Sequence, residues 1–467
     1  MKLAAVTGRA TQRLFAGVQA LGDGMARHRR WISAVQWCVI AFYAITVSVP
    51  AFLPPPSNDA SMLNNLTLFA QFLFWGVWWP GVILTTLFAG RVWCGVLCPE
   101  GALSEAVSHY SANKPIPRWV KWEGWKFVAF LSTTVWGQLV SVYEYPKPVL
   151  LILGGSTVAA VVAALLWGRN RRIWCRHLCP VNGVFGLLSR YSFWQFRVDR
   201  KAWDSVRAVR PVDCAPLVDI RRMTGTSACH MCGRCSGHRD AVAMVPRAFG
   251  DEIVATREEA PSAWEIRLLI FGMIGLAIGA FQWSASPWLI TVKQLLAEWL
   301  IEHDSFWLLQ DNAPWWLLTH YPAANDVFTW LDGGLILGYI GVATVLVGGW
   351  TWLWLKLAAR TLPGQPLANF RAIACCLIPL AGVSLFLGLS SLSISQLKAE
   401  GLTLAWLPTV RGLFLAGGQI ACMWTAWRWL RRHFADLYWA RSGCVFGFFV
   451  VASLPVPLSW IEMFYVW

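Results

Sequence analysis

Long apolar runs constrain this chain more than any other feature of its sequence. An α-helix needs about 20 mostly apolar residues to cross the hydrocarbon core of a bilayer. Only 14% of the residues are charged, compared with about a quarter in a typical soluble domain. The sequence therefore predicts an all-α polytopic membrane protein with about nine transmembrane helices. The predicted spans are residues 31–53, 66–90, 125–143, 148–167, 265–286, 331–355, 372–392, 406–427 and 443–464.

Basic residues between the spans predict how the chain crosses the membrane. The segment 54–65 contains neither lysine nor arginine, whereas 105–124 and 168–172 carry several basic residues. The positive-inside rule then places the N-terminus in the cytoplasm and the C-terminus in the periplasm, with a bacterial inner membrane as the expected location. The same rule accounts for the formal net charge of +14, so the lipid bilayer is an expected partner and nucleic acid is not.

Eight of the thirteen cysteines lie in segments predicted to be cytoplasmic or at the cytoplasmic membrane edge. Structural disulfides are rare in the cytosol because thiols are kept reduced there. Clustered reduced thiols instead indicate metal ligands or redox groups. The remaining five lie in or beside apolar spans, where a free cysteine behaves as a small hydrophobic residue. The eight candidate ligands are Cys94, Cys98, Cys175, Cys179, Cys214, Cys229, Cys232 and Cys235.

The stretch CHMCGRC at 229–235 has the C-x2-C-x2-C spacing that wraps three corners of a [4Fe–4S] cluster. The common bacterial run has a further cysteine four residues later, and this chain has Arg239 there. The nearest remote candidate for a fourth ligand is Cys214. A four-cysteine zinc site is the alternative, although zinc fingers use separated pairs of ligands. We expect the flanking His230 and His238 to be solvated loop residues.

A second cysteine pattern occurs twice. The sequence W-C-x-x-L-C-P contains Cys94 and Cys98 and recurs 81 residues later, and both copies lead to S-x-Y-S. Residues 31–111 and 112–192 therefore look like duplicated hairpins. Cysteines four apart share one face of a helix, so pseudo-symmetry would bring four thiolates to one place. The eight cysteines then suffice for two [4Fe–4S] clusters.

The pairing of cysteines within each cluster is left open at this point. A cysteine from one C-x3-C-P unit would also serve as the fourth ligand of the 229–235 cluster. The alternative for the repeated pairs is a structural role, in which small residues end a helix before a proline. None of the predicted spans contains a histidine, which argues against a bis-histidine haem inside the bilayer. No nucleotide-binding glycine motif is present.

Two C-x3-C-P units followed by a C-x2-C-x2-C loop resemble the membrane polyferredoxins, the family of NapH-, NosR- and CcoG-like proteins. The resemblance covers about residues 31–250 and implies that the cysteines above are associated with iron–sulfur clusters. About five additional spans follow that region. This architecture is most similar to the FtrD-type polyferredoxin of ferrous-iron uptake systems. That likeness implies a periplasmic cupredoxin or an iron permease as redox partner.

We therefore expect four regions. They are a basic cytoplasmic N-terminus (1–30), the duplicated hairpins (31–192), a small ferredoxin-like cytoplasmic iron–sulfur insertion (193–262), and a C-terminal transmembrane region (263–467) with a periplasmic segment at 287–330.

The expected function is electron transfer between a cytoplasmic or quinone pool and a membrane or periplasmic partner. The chain would be a carrier or an oxidoreductase subunit rather than a stand-alone enzyme. Two alternatives are a redox sensor or metal-centre assembly factor, and a transporter with structural metal sites.

Overall fold

A computed structural model describes residues 9–57, 59–206, 212–256 and 261–467. Helices make up most of these ranges, and the strands are few and short. Within the described ranges, seven helices are long and apolar enough to cross a membrane. The all-α polytopic membrane class is thereby confirmed. The seven are Arg29–Phe52, Leu66–Ala89, Pro146–Trp167, Ala263–Ala285, Trp330–Thr361, Pro366–Ala399 and Trp439–Val466.

Two of the nine expected spans fall outside this set. The segment at 125–143 forms the helix Trp125–Leu139, which has 15 residues and a length of about 22 Å at 1.5 Å per residue. Ser141 follows in the left-handed region with φ 48°, and a turn replaces the last expected helical residues. The segment at 406–427 lies in the helix Leu407–His433, whose last turn is basic. Whether these two segments cross the membrane stays a prediction.

The chain divides into two compact units. The first comprises residues Met1–Ile45, Val82–Lys126 and Ser156–Ala255, and the second comprises Thr46–Gly81, Phe127–Gly155 and Thr256–Trp467. All eight candidate cysteines belong to the first unit. The expected four-region organisation follows different boundaries and stays a prediction.

The second unit is a helical bundle. Its helix Pro366–Ala399 is almost entirely buried, and Trp330–Thr361 packs along Trp439–Ser453. The buried Trp460 satisfies its N–H group inside the bundle, where Nε1 donates to Ser384 Oγ at 2.8 Å. The unit also contains the helix Pro287–Glu302 and two short paired strands, His320–Tyr321 and Asp326–Val327.

In the first unit, the sequence repeat is also a repeat of backbone structure. Each C-x3-C-P unit opens with a π-helical turn, continues as a short α-helix and ends in a 3-10 turn whose first serine is fully buried. The amide of the second cysteine donates to the carbonyl of the tryptophan five residues earlier, at 2.9 Å in both copies. The turns and helices are Trp93–Leu97, Pro99–Val107 and Ser108–Tyr110 in the first copy, and Trp174–Leu178, Asn182–Leu188 and Ser189–Tyr191 in the second.

The loop that carries the third cysteine motif is supported by a two-stranded sheet. The strand β1, Trp194–Val198, pairs antiparallel with β2, Val242–Pro246. A small apolar core lies against this sheet, and Cys214, Cys229 and Cys235 pack on it. Its fully or nearly fully buried members are Val18, Phe196, Ile220, Met231, Val242 and Met244.

Candidate iron–sulfur site

The two C-x3-C-P units meet in the first unit and form one group of four thiols, Cys94, Cys98, Cys175 and Cys179. The backbone of Gly101 marks the meeting point. A Cβ added there would lie 3.4 Å from Cys175 Sγ and 3.5 Å from Cys98 Sγ, so cysteines of both copies lie within contact distance of this residue. The Gly101 amide donates to Cys98 Sγ at 3.4 Å. A hydrogen bond from a backbone amide to sulfur is one of the contacts that tune iron–sulfur clusters.

Burial makes this first group a poor place for free thiolates. Burial and the neighbouring cysteines raise the pKa of the Cys98 and Cys179 thiols far above the ordinary range. Burial also raises the pKa of Cys175 to about 12, against the opposing charge of Arg172. Thiols of this kind lose their protons when a metal centre takes them as ligands. The donor set therefore fits a metal centre.

The second group consists of Cys214, Cys229, Cys232 and Cys235, which line a single cavity. The 229–235 loop folds around this cavity because Met231 and Gly233 are left-handed, with φ 51° and 75°. The Met231 amide donates to Cys229 Sγ at 3.4 Å. Burial raises the pKa of Cys214 to about 11 and that of Cys229 to about 12.

The two thiol groups are neighbours, and Gly95 lies at their contact. A Cβ added to Gly95 would stand 2.1 Å from the carbonyl oxygen of His230 and 2.9 Å from the amide nitrogen of Cys232. Only glycine permits this approach of two backbones. Gly95 directly follows the first cysteine of one group, and Cys232 belongs to the other.

Two buried arginines accompany the cysteines, and the sequence analysis did not identify them. Arg91 and Arg172 are 3% and 1% exposed and stand three residues before the first cysteine of each copy. Arg91 Nη2 donates to Asn182 Oδ1 at 2.7 Å, and Arg172 Nη1 donates to the Cys94 carbonyl oxygen at 2.6 Å. The signal was present, because the repeated pattern is R-x-W-C-x-x-L-C-P rather than W-C-x-x-L-C-P.

The expectation that His230 is a solvated loop residue is wrong. It is only 2% exposed, and its carbonyl oxygen lies against the backbone of Gly95. Burial and the nearby arginine charges lower the pKa of His230 well below its ordinary value. The imidazole is therefore neutral at pH 7. His238, in contrast, is partly exposed.

In the part of the chain that the structure describes, no three His, Cys, Asp or Glu side chains are arranged to hold a metal ion. Each group nevertheless offers four thiol donors, amide donors to sulfur and a glycine at a close approach. These features fit a [4Fe–4S] cluster, whose usual ligands are four cysteine thiolates.

Comparison with known proteins agrees with this chemistry. Residues 71–117 and 150–201 match the family described as "4Fe-4S binding domain", so the match occurs once in each copy of the repeat. The two matched segments contain the first thiol group, and the 229–235 loop lies outside them. No solved structure matches the chain significantly.

Three relatives are ferredoxin-type or electron-transport proteins. The chain is 27% identical to "Methylamine utilization ferredoxin-type protein MauN" of Paracoccus denitrificans (strain Pd 1222), over 43% of this chain and 83% of the relative. It is 24% identical to "Putative electron transport protein YccM" of Escherichia coli (strain K12), over 47% of this chain and 68% of the relative. It is 24% identical to "Ferredoxin-type protein NapH" of the same strain, over 33% of this chain and 62% of the relative.

The fold, the thiol groups and these matches define a membrane protein that binds 4Fe–4S clusters and works in electron transfer. These matches confirm the resemblance to the ferredoxin-type membrane polyferredoxins that was inferred from the cysteine motifs. The closer likeness to FtrD-type proteins stays a prediction.

Proposed function

We propose that this chain holds two [4Fe–4S] clusters and passes single electrons to a redox partner at the membrane. One cluster would be bound by Cys94, Cys98, Cys175 and Cys179, and the other by Cys214, Cys229, Cys232 and Cys235. The observation that carries the proposal is the presence of two four-thiol groups in one compact unit, with Gly95 at their contact.

A bound cluster would supply a one-electron storage site whose potential depends on its surroundings. The residues of the chain hold the cluster and determine its surroundings. Thiolates hold the metal, and the packed side chains around each group limit the access of water. Trp174 and Cys175 pack with Ala160 and Ala163 in one small core, while the second group packs on the core beneath β1 and β2.

The shared cavity supports Cys214 as the fourth ligand of the loop cluster. Cys214 lines that cavity with the three cysteines of the 229–235 loop. The four cysteines of the C-x3-C-P units instead interact electrostatically with one another. The charges of Cys94, Cys98 and Cys175 all raise the pKa of Cys179. This arrangement favours the pairing by groups over a pairing that exchanges a cysteine between them.

A second cavity in the same unit supports a quinone as electron donor or acceptor. Its volume is about 330 Å³, within the range of small-molecule sites. Its lining includes the apolar side chains of Ile32, Trp37 and Ile40 from the span Arg29–Phe52, together with His109 and Cys232. A quinone headgroup needs this combination of apolar walls and hydrogen-bonding groups. Its place beside Cys232 would bring it next to the loop cluster.

The location and the protein partner are also part of the proposal. The charge pattern of the loops supports a bacterial inner membrane, with the N-terminus and the thiol groups in the cytoplasm and the C-terminus in the periplasm. Electrons would then serve a membrane or periplasmic acceptor, such as a cupredoxin or an iron permease. Reduction of the clusters by a quinol analogue, followed by reoxidation with candidate acceptors, tests both ends of this path.

The first experiment is anaerobic purification of the whole chain in detergent, with iron and sulfide quantified and EPR spectra recorded before and after dithionite. Two cubane clusters require about eight iron and eight sulfide per chain. Cys175→Ser and Cys214→Ser should each remove about half of the iron. Cys444→Ser, which changes an exposed free cysteine, is the matched control and should remove none. Zinc without sulfide would overturn the proposal.

Turnover separates the carrier from its alternatives. A carrier reoxidises within each cycle of its partner, whereas a redox sensor or an assembly factor changes state once and stays there. A transporter with structural metal sites would keep its transport rate when the clusters are held oxidised. Stopped-flow reoxidation of the dithionite-reduced protein by its acceptor distinguishes these cases.

A further inference from the structure

The two buried arginines occupy equivalent places in the duplicated hairpins. Arg91 and Arg172 stand 81 residues apart, the same interval that separates the two cysteine pairs. Both are almost completely buried, although arginine is among the residues least often found inside a protein. A duplicated and buried charge at this position calls for a specific role.

Each arginine reaches across to the other copy of the repeat. Arg91 Nη2 contacts Asn182 Oδ1 at 2.7 Å, and Arg172 Nη1 lies 3.2 Å from the place of a Cβ on Gly101. Gly101 and Asn182 are themselves equivalent, three residues after the last cysteine of each unit. The crossed contacts bring both guanidinium groups into the region where the two thiol groups adjoin.

The surroundings of the two arginines differ in charge. Arg172 Nε pairs with Glu105 Oε2 at 2.8 Å, and Glu105 also pairs with Arg234. Arg91 has neutral partners apart from sulfur: Asn182, the Ser227 carbonyl oxygen at 2.8 Å, and Cys94 Sγ at 3.9 Å. Among the described residues, Arg172 is therefore neutralised by a carboxylate and Arg91 is not.

A buried cation without an anionic partner is strongly unfavourable. Two guanidinium nitrogens here, Arg91 Nε and Arg172 Nη2, are buried without a hydrogen-bond partner. The charges that would balance them are those of ligated thiolates. The positive charge of Arg91 favours the thiolate form of Cys175 in one group and of Cys229 in the other. Arg172 interacts electrostatically with thiols of both groups, namely Cys175, Cys232 and Cys98.

We propose that Arg91 and Arg172 form a cationic pair between the two thiol groups that raises the reduction potentials of the centres bound there. This inference rests on the proposed function. Positive charge beside a cluster stabilises the state with one more electron, because net charge and hydrogen bonds to sulfur set the potential. Arg91 carries the larger effect because Glu105 offsets the charge of Arg172. Both arginines are positioning residues that contact the ligands.

The test is an EPR-monitored redox titration of the whole, iron-loaded protein in detergent. Arg91→Gln should shift the reduction equilibrium of at least one cluster about tenfold toward the oxidised form, which is about 59 mV for a one-electron couple. Arg91→Lys keeps the charge and should restore most of that shift. Glu105→Gln removes the carboxylate that offsets Arg172 and should shift the equilibrium in the opposite direction.

Arg247→Gln is the matched control. Arg247 is a buried arginine of the same unit that pairs with Glu252, and its contacts include no cysteine sulfur. Its replacement should leave both potentials unchanged. Opposite shifts in the Arg91 and Glu105 variants cannot come from general loosening of the fold, which would move both in one direction.

The outcomes are distinct. Unshifted potentials in iron-loaded Arg91→Gln overturn the inference. If Arg91→Gln loses its iron, an unshifted potential in iron-loaded Glu105→Gln overturns it instead. Absence of a cubane signal from the wild-type protein overturns the proposed function itself, and the inference with it. Cubane signals in all variants without any shift overturn the inference alone.

Discussion

The two copies of the C-x3-C-P unit share a backbone and differ in what surrounds it. Both have the π turn, the buried serine and the five-residue hydrogen bond that ends the turn. The first copy has Gly95 after its first cysteine, where the second has Arg176. It also has Glu105 where the second has Gly186. The two copies thus share their backbone, while Gly95 gives the first copy a close backbone approach to the second thiol group.

The largest effect on stability is expected from removing the buried arginine of the second copy that contacts the first copy. Arg172→Met should destabilise the protein by roughly 3–5 kcal/mol, because Glu105 loses a buried partner and the Cys94 carbonyl loses its donor. Thermal unfolding in detergent measures the effect. Arg171→Met, at the exposed neighbouring residue, is the control and should change stability little. Equal losses in both variants would contradict the interpretation.

Substitutions at Gly95 and at the equivalent position of the second copy should differ in their effects on stability and iron content. Gly95→Ala places a methyl group within 2.1 Å of the His230 oxygen and should cost about 1–3 kcal/mol, with loss of iron from the loop cluster. Arg176→Ala, which places alanine at the equivalent position of the second copy, should leave the iron content intact. Iron analysis with melting curves measures both. A Gly95→Ala protein with full iron content would show that the close approach is dispensable.

A smaller effect is expected at Asn182, the neutral hydrogen-bond partner of Arg91. Asn182→Ala removes the amide oxygen that receives Arg91 and leaves a buried guanidinium with one acceptor fewer. We expect a loss of about 1–2 kcal/mol in the free energy of unfolding. Asn182→Asp keeps the acceptor and adds a negative charge beside Arg91, so it should lower the cluster potential without that loss. Redox titration and thermal melting together measure the pair of variants.

The smallest effect concerns pH. Burial opposes ionisation of Glu105, but Arg172 and Arg234 outweigh it and lower the pKa of this carboxyl group below its usual value. Its ionised form therefore stabilises the fold above the unfolded-state pKa, and the contribution is lost as pH falls through the folded-state pKa. Melting temperature measured from pH 7 downward, to below the folded-state pKa, should fall less steeply in Glu105→Gln. Parallel curves for the two proteins would contradict the assignment.

The sequence was informative where local pattern determines structure. Apolar length predicted the seven spans that the structure supports, and cysteine spacing predicted the thiol-rich loop. It failed where contacts join distant segments. Nothing in the sequence near His230 indicates its burial, and its backbone contact with Gly95 comes from another part of the chain. The shortened helix at 125–143 ends at Leu139, two residues before the left-handed Ser141, which apolar length does not reveal.

The repeat was recognised, but the arginine that precedes each cysteine pair was not. An arginine beside a predicted membrane edge normally satisfies the positive-inside rule and needs no further explanation. Only the crossed contacts with Asn182 and the Cys94 carbonyl distinguish Arg91 and Arg172 from ordinary loop cations.

The first thiol group also has a consequence for biosynthesis. Cys98 and Cys175 are separated by the apolar helix Pro146–Trp167, so the group closes only after that helix has been made and has packed. Ribosomes synthesise the chain from its N-terminus, so the first cysteine pair is present in the nascent protein before the second pair has been made. With the proposed ligand set, iron delivery would follow membrane integration of this helix. Cluster content then becomes a reporter of successful insertion, and integration mutants should accumulate as colourless protein.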